Sequence, residues 1–464
     1  MQYHALSLAL SRRFSSVYLV GYRGERCMPA VEAEQDTIKR VLLAPDLLPR
    51  PRARALYLLY APAKAVLQLL QLLWVLLVTL PRAEVMLVQN PPAIPALAAA
   101  WVAKALRGVR VIVDWHNLGY SVLQLAVRRA NHPFVALSCA YERLFARLVD
   151  GHLCVTHAMS HWLRDEWGVV ASVLHDRPPQ FFRSLEAHER HELFQRLAPQ
   201  FVDAHGASLW PPSAWEDGAT PWTTSSGELR PGRPALLVSS TSWTADEDFG
   251  ILLDALALLD ARLVDELPPA ARQGPAVVAV ITGKGPLKEH YQEEMRRRGL
   301  GRVAICTMWL EPSDYPALLG SADLGVCLHT STSGLDLPMK VLDMYGCGLP
   351  VCAFKFACLH ELVTHESNGL VFSSREELAE QLHTLLRPSG TAVTNLKKLA
   401  DGVAAAEAGR PRWAENWNDS AAPLLLGASE GAARRTRLWI LTVSLLAFPI
   451  ALVALAVFYQ SLLP

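Results

Sequence analysis

Val277-Val278-Ala279-Val280-Ile281-Thr282 runs directly into Gly283-Lys284-Gly285-Pro286 and then into the helical pattern KEHYQEEMRRRG, residues 288–299. An apolar β-branched run, a glycine turn and a charged helix make one half of a βαβ unit. The same alternation recurs on both sides. Strands are predicted at Ala235–Ser240, Val303–Cys306, Leu324–Leu328, Val351–Phe354 and Gly369–Phe372, and in the N-terminal half at Val17–Gly21, Val41–Leu43, Val85–Val88, Val109–Asp114 and His152–Thr156. Strands alternating with helices predict parallel sheets and an α/β protein. A chain of 464 residues exceeds what one core organises, so two domains are expected. Residues 184–234 carry WPPSAWEDGATPWTTSSGELRPGRP and no sustained period, and read as a linker or insertion between domains at 1–183 and 235–428.

Lys plus Arg equals Asp plus Glu at 44 each, so no global positive field points to nucleic acid. Eight scattered cysteines match no zinc spacing and no dense disulfide framework, and read as reduced core residues. Leu438–Tyr459, LWILTVSLLAFPIALVALAVFY, is uncharged and long enough for a transmembrane helix. Arg434, Arg435 and Arg437 precede it, so the positive-inside rule places residues 1–437 in the cytosol. The apolar segment at 63–80 is interrupted by Gln68 and Gln71 and closed by Pro81, and reads as a buried or membrane-grazing helix rather than a span. The opening MQYHALSLALSRRF reads as an amphipathic helix rather than a signal peptide.

Three places carry candidate chemistry. Gly283 and Gly285, at a strand-to-helix turn, would let backbone amides approach a phosphate, with Lys284 adding a charge; a plain tight turn accounts for them equally well. In Ser333–Phe354, SGLDLPMKVLDMYGCGLPVCAF, Pro338 suits a first helical turn. Lys340 and Asp343 then lie three residues apart on one helix, with Asp336 near its N-cap. A pyrophosphate could sit on that N-terminus and a carboxylate could take ribose hydroxyls, although a capped helix with a surface ion pair fits the same residues. Asp114-Trp115-His116-Asn117 ends a strand, at the sheet edge where ligands of open α/β sheets bind. His116 can exchange protons near neutral pH, while a lone histidine is more often structural. Asp246-Glu247-Asp248 resembles a metal-binding triplet, but Thr244 and Glu247 have the spacing of a capping box, so no metal site is expected there.

Together these residues resemble the chitobiosyldiphosphodolichol β-mannosyltransferases, a GT-B family. The matching stretches include MQYHALSLAL, VQNPPAIPAL, VIVDWHNLGYS, YERLF, SSTSWTADEDF, ITGKGPL and HTSTSGLDLPMK, spread over residues 1 to about 420. The resemblance implies two Rossmann-like domains facing across a cleft, plus the C-terminal anchor. It implies GDP-mannose as donor on the C-terminal domain, GlcNAc2-diphosphodolichol as acceptor, inversion at the anomeric carbon, and no cofactor or metal. It also implies the cytosolic face of the endoplasmic reticulum membrane, with other lipid-linked oligosaccharide transferases as protein partners. Asp343 matches the second acid of the E-x7-E motif of related GT-B families. The first would fall on Leu335, so Asp336 is displaced by one place. His116 or Asp114 is expected as base, with Gly283, Lys284, Gly285, Asp336, Lys340 and Asp343 at the donor. Family members carry an anchor, a first strand and a glycine turn upstream of the residues matching MQYHA. The chain is therefore expected to be incomplete at its N-terminus, or its first sheet to lack a central strand. A tail-anchored scaffold descended from such a transferase, or a transferase with another lipid acceptor, would carry the same motifs.

Overall fold

A computed structural model describes residues 1–24, 26–44, 57–127, 131–244, 247–266 and 274–427. The expected helix at 438–459 lies outside the described residues. The chain forms two compact units, Met1–His175 joined by the segment from Arg412 onward, and Asp176–Pro411.

In the first unit the order is α1 (Gln2–Leu10), β1 (Val17–Tyr22), α2 (Pro29–Ala33), β2 (Ile38–Leu43), α3 (Tyr57–Trp74), β3 (Val85–Asn90), α4 (Ala96–Arg107), β4 (Arg110–Trp115), α5 (Gly119–Val127), α6 (Pro133–Ala146), β5 (Gly151–Cys154), α7 (His157–Trp167) and β6 (Ser172–Val173). A π-helical turn, Val75–Thr79, continues α3. β3-β4-β5-β6 form one parallel sheet, and β1 pairs in parallel with β2 alone among the described residues. Local signals set the boundaries: α4 ends on Gly108 at φ 66°, and the Thr156 hydroxyl caps α7 by accepting from Met159 N at 3.0 Å. All the strands predicted in this half are present; β6, two residues long, had too short a pattern to be read.

The second unit contains α8 (Ala187–Leu197), β7 (Ala235–Ser240), α9 (Phe249–Glu266), β8 (Val277–Thr282), α10 (Lys288–Arg298), β9 (Val303–Met308), α11 (Asp314–Leu319), β10 (Leu324–Cys327), α12 (Met339–Gly346), β11 (Val351–Phe354), β12 (Gly369–Phe372), α13 (Arg375–Leu386) and α14 (Gly390–Ala408). Its sheet is parallel in the order β12-β11-β10-β7-β8-β9. β8, the run that opened the sequence reading, is buried at every residue. Helices cover both faces, as a fully parallel sheet requires.

Two stretches join the units differently from the boundaries drawn on the sequence. Residues 184–234 belong to the second unit and lend it core side chains. Phe194, Phe201 and Trp222 are fully buried with Val278, Val280 and Met308, and Phe194 stacks on Trp222 at 4.8 Å between ring centroids. Residues 412–427 leave the second unit and form α15 (Trp413–Ser420) and α16 (Ala422–Leu426) on the first. There Trp417 and Leu425 pack on Ile112 and Leu153, because an apolar helix face is stabilised wherever it buries most area.

Candidate active site

In the first unit the chemistry gathers where β4 ends. Asp114 is 2% exposed and His116 follows two residues on, so both side chains leave the backbone on the same side. Asp114 Oδ2 lies 2.8 Å from His116 Nε2 and 3.2 Å from His4 Nε2. Trp417 Nε1–H, which can only donate, donates to His4 Nδ1 at 3.0 Å. That fixes the His4 tautomer: Nδ1 accepts and Nε2–H points at Asp114. Burial favours the protonated carboxyl of Asp114, but the charge of His116 and the hydrogen bonds from His116 and His4 outweigh it and hold the group well below the usual carboxylate range. Asp114 therefore orients His116 through Nε2.

The loop after His116 is held from below. His116 N–H donates to Asn90 O at 2.9 Å, and Gly119 N–H donates to Glu142 Oε1 at 2.7 Å. Glu142 is fully buried, and a Cβ on Gly119 would come within 2.4 Å of its Oε1, so only glycine fits the contact. Burial pushes the Glu142 carboxyl up to about 7, against the lowering effect of the amides of Tyr120 and Gly119 and the Asn90 side chain. A carboxyl raised above its unfolded value stabilises less as pH rises through that interval. Glu142→Gln should accordingly gain up to ~3 kcal/mol on the wild type between pH 4.5 and 8. Urea unfolding of both proteins across that range measures it, and a constant difference would show that Glu142 is ionised throughout.

In the second unit the donor candidates fall into two groups. Gly283, at φ 128°, and Gly285 pass so close to the preceding loop that a Cβ on either would lie 1.8 Å from Thr241 O or Ser242 O. Their glycines are required by backbone packing first. Lys284 places its ammonium 3.5 Å from the ring centroid of Trp309, a half-exposed cation–π pair. Lys340 does not stand alone: it is paired with Glu247, which is 3% exposed and also accepts from Thr241 Oγ1 at 2.9 Å and Ser242 N at 2.8 Å. The capping box expected at Thr244 is thus replaced. Glu247 turns back to Lys340, and Asp248 Oδ1 accepts from Gly250 N at 3.0 Å at the start of α9.

α12 begins at Met339, one turn from Asp336, whose carboxylate braces its own loop instead of capping the helix. It accepts from Ser331 Oγ and, at 3.4 Å, from Ser333 Oγ. His329 Nε2 is 3.4 Å from its other oxygen, close enough for electrostatic attraction but outside hydrogen-bonding geometry. Asp343 is half-buried, and its carboxylate has no hydrogen-bond or ion-pair partner among the described residues. Burial alone pushes it up to about 7. Nearby, Thr282, Ser240 and Tyr315 form a hydroxyl ladder with steps of 3.1 and 3.0 Å.

With this geometry in hand, the chain can be set against known proteins. Family models described as "Glycosyl transferase 4-like domain" and "Glycosyl transferases group 1" match residues 2–180 and 247–388. The mouse (Mus musculus) chitobiosyldiphosphodolichol beta-mannosyltransferase is 45% identical over 434 residues, 92% of this chain and 86% of the mouse protein. The chain belongs to the chitobiosyldiphosphodolichol β-mannosyltransferase family. An Arabidopsis thaliana relative named "UDP-glycosyltransferase TURAN" is 44% identical over 92% of this chain and 94% of its own length. The crystal structure of Anabaena HepE in complex with UDP-glucose superposes with TM-score 0.57 at 16% identity, covering 91% of this chain and 95% of that one. That likeness shows the GT-B fold, two Rossmann-like units with parallel sheets.

Sequence reading of this mannosyltransferase-family chain missed His4, Trp417 and Glu142, and took Glu247, the partner of Lys340, for a helix cap. Only Glu142 left a local signal: it occupies a core position in the buried series Val135, Ser138, Glu142, Phe145 of α6, where a carboxylate has no place without a partner.

Proposed function

We propose that the chain transfers mannose from GDP-mannose to chitobiosyl-diphosphodolichol with inversion, forming a β-1,4 link. The observation that carries the mechanism is the buried Asp114 holding His116 by one ring nitrogen. His116 takes the proton of the GlcNAc 4-hydroxyl as that oxygen bonds to the mannose anomeric carbon, and the bond to the GDP oxygen breaks with its electron pair going to the diphosphate. Asp114 stabilises the imidazolium that forms. Lys284, with no carboxylate partner among the described residues, and Lys340, shared with Glu247, supply positive charge to the departing diphosphate. Asp343 takes the ribose hydroxyls, while Asp336, Gly283 and Gly285 shape the loops around the donor.

Dolichol in the relatives' names and the uncharged run Leu438–Tyr459 behind Arg434, Arg435 and Arg437 support a place on the endoplasmic reticulum membrane, with the catalytic units in the cytosol. The test is incubation of the full chain with chitobiosyl-diphospho-lipid and either GDP-mannose or UDP-sugars, with and without EDTA. One mannose should be added from GDP-mannose alone, be released by β-mannosidase, and persist in EDTA, since Glu247 of the acidic triplet is committed to Lys340. Transfer from a UDP-sugar only would overturn the donor, and loss in EDTA restored by manganese would overturn the metal-free reading.

A further inference from the structure

From Arg50 to Ala83 the sequence holds five cations, Arg50, Arg52, Arg54, Lys64 and Arg82, and no acidic residue. Inside this stretch Pro62–Thr79, which is α3 from Pro62 and its π turn, has a mean hydropathy of 1.6. The helix has two unlike faces. On the inner one, Leu76 and Leu77 pack with Ala100, Ala103, Val109 and Val111, and the Arg107 guanidinium donates to Leu77 O and Leu80 O at 2.6 Å each. On the outer one, Val66, Leu70, Trp74 and Val78 recur every fourth residue and are 38%, 56%, 64% and 58% exposed. A continuous apolar stripe of that kind is uncommon on a surface that meets only water.

We propose that this outer face of α3 lies in the plane of an anionic lipid surface, without spanning it. The inner-face packing and the Arg107 grip tie the helix to its unit, so spanning would break both. Lipid fits better than a second copy of the chain, because the sequence from Arg50 to Ala83 that carries this helix has five cations and no acidic residue, a charge that acidic headgroups complement and a second copy would only repeat. Trp74, with an apolar ring and one N–H donor, suits the boundary between headgroup and hydrocarbon. The face would hold the unit bearing His116 on the surface in which a lipid-linked acceptor is embedded; this consequence rests on the proposed function, and the surface itself does not.

The test uses the full chain with benzoylphenylalanine at position 70 or 74, and at the exposed Glu166 of α7 as control, in phosphatidylcholine vesicles with or without about 20% phosphatidylserine. Lipid adducts should form at 70 and 74 but not at 166, and drop several-fold without phosphatidylserine or in high salt. Adducts to a second copy, or equal yields at all three positions, overturn the proposal. A second arm compares Leu70→Glu/Trp74→Glu/Val78→Glu with wild type. KM for chitobiosyl diphosphate on a long polyprenyl chain in vesicles should rise at least about tenfold, while KM for a short-chain, water-soluble acceptor stays put and certifies the fold. Equal long-chain KM overturns the proposal. A wild type inactive on both acceptors overturns the assigned reaction and leaves the photolabelling to decide the surface.

Discussion

His116→Gln should lower kcat by about two to four orders of magnitude, the usual contribution of a positioned base, while leaving the donor KM within a few-fold of wild type. Glutamine keeps a polar group of similar reach but cannot accept the acceptor's proton. Asp114→Asn tests the same step from behind. Asp114 is held ionised by His116 and His4, so its amide analogue keeps the shape, removes the charge that stabilises an imidazolium, and can turn a donor toward His116. A fall of about a hundredfold in kcat is expected, and the double variant should be hardly worse than His116→Gln alone, because both act in one step. Stability gives an independent readout. A carboxylate whose folded pKa is depressed contributes stability above its unfolded value and loses it as pH falls, so the deficit of Asp114→Asn should be present at pH 7 and shrink on acidification. His4→Gln and Trp417→Phe loosen Asp114 without touching substrate, and should cost kcat several-fold at unchanged donor KM. A folded His116→Gln with wild-type kcat would move the base elsewhere and leave the Asp114-Trp115-His116-Asn117 segment structural.

The strands were legible because each is a short apolar β-branched run that must be buried on both faces, as β8 is. So was the position of His116 at the end of β4, since strand order and the edge rule place it there. What surrounds it was not. The Trp417 to His4 hydrogen bond joins residues 413 apart, and Lys340 meets Glu247 across 93. No local period encodes such pairings; they exist only once the sheets have been assembled. The stretch at 184–234 was not legible for a related reason. Its aromatic residues have no helical or strand spacing, yet Phe194, Phe201 and Trp222 each bury a large apolar area, which suffices to fix an irregular segment on a core. The glycines at 283 and 285 show the converse. Their pattern suggested a phosphate cradle, and the first demand on them is the backbone of Thr241 and Ser242.

Asp343→Asn should make the protein more stable at pH 8 and a worse user of its donor, two effects of opposite sign from one atom exchange. Burial raises the Asp343 carboxyl to about 7, and no partner among the described residues offsets the cost of ionising it. Because the folded pKa exceeds the unfolded one, this group's contribution to stability falls as pH rises from about 4 to 7. An amide of the same shape has no such penalty, so the variant should gain ~1–4 kcal/mol at pH 8 and nothing at pH 4. The donor effect runs the other way. Charge-assisted hydrogen bonds from ribose hydroxyls to the carboxylate would be weakened, at a cost of ~1.5–3 kcal/mol, raising the GDP-mannose KM roughly 10- to 150-fold. The wild type should itself bind donor more weakly below pH 7, where Asp343 is protonated, and the variant should lack that slope. Calorimetric unfolding and donor KM measured on the same preparations at pH 6 and 8 decide it. A variant that is less stable at pH 8 with an unchanged KM would mean that Asp343 serves the packing of α12, and that the ribose is held by other groups, with the Thr282, Ser240 and Tyr315 hydroxyls next to be tested.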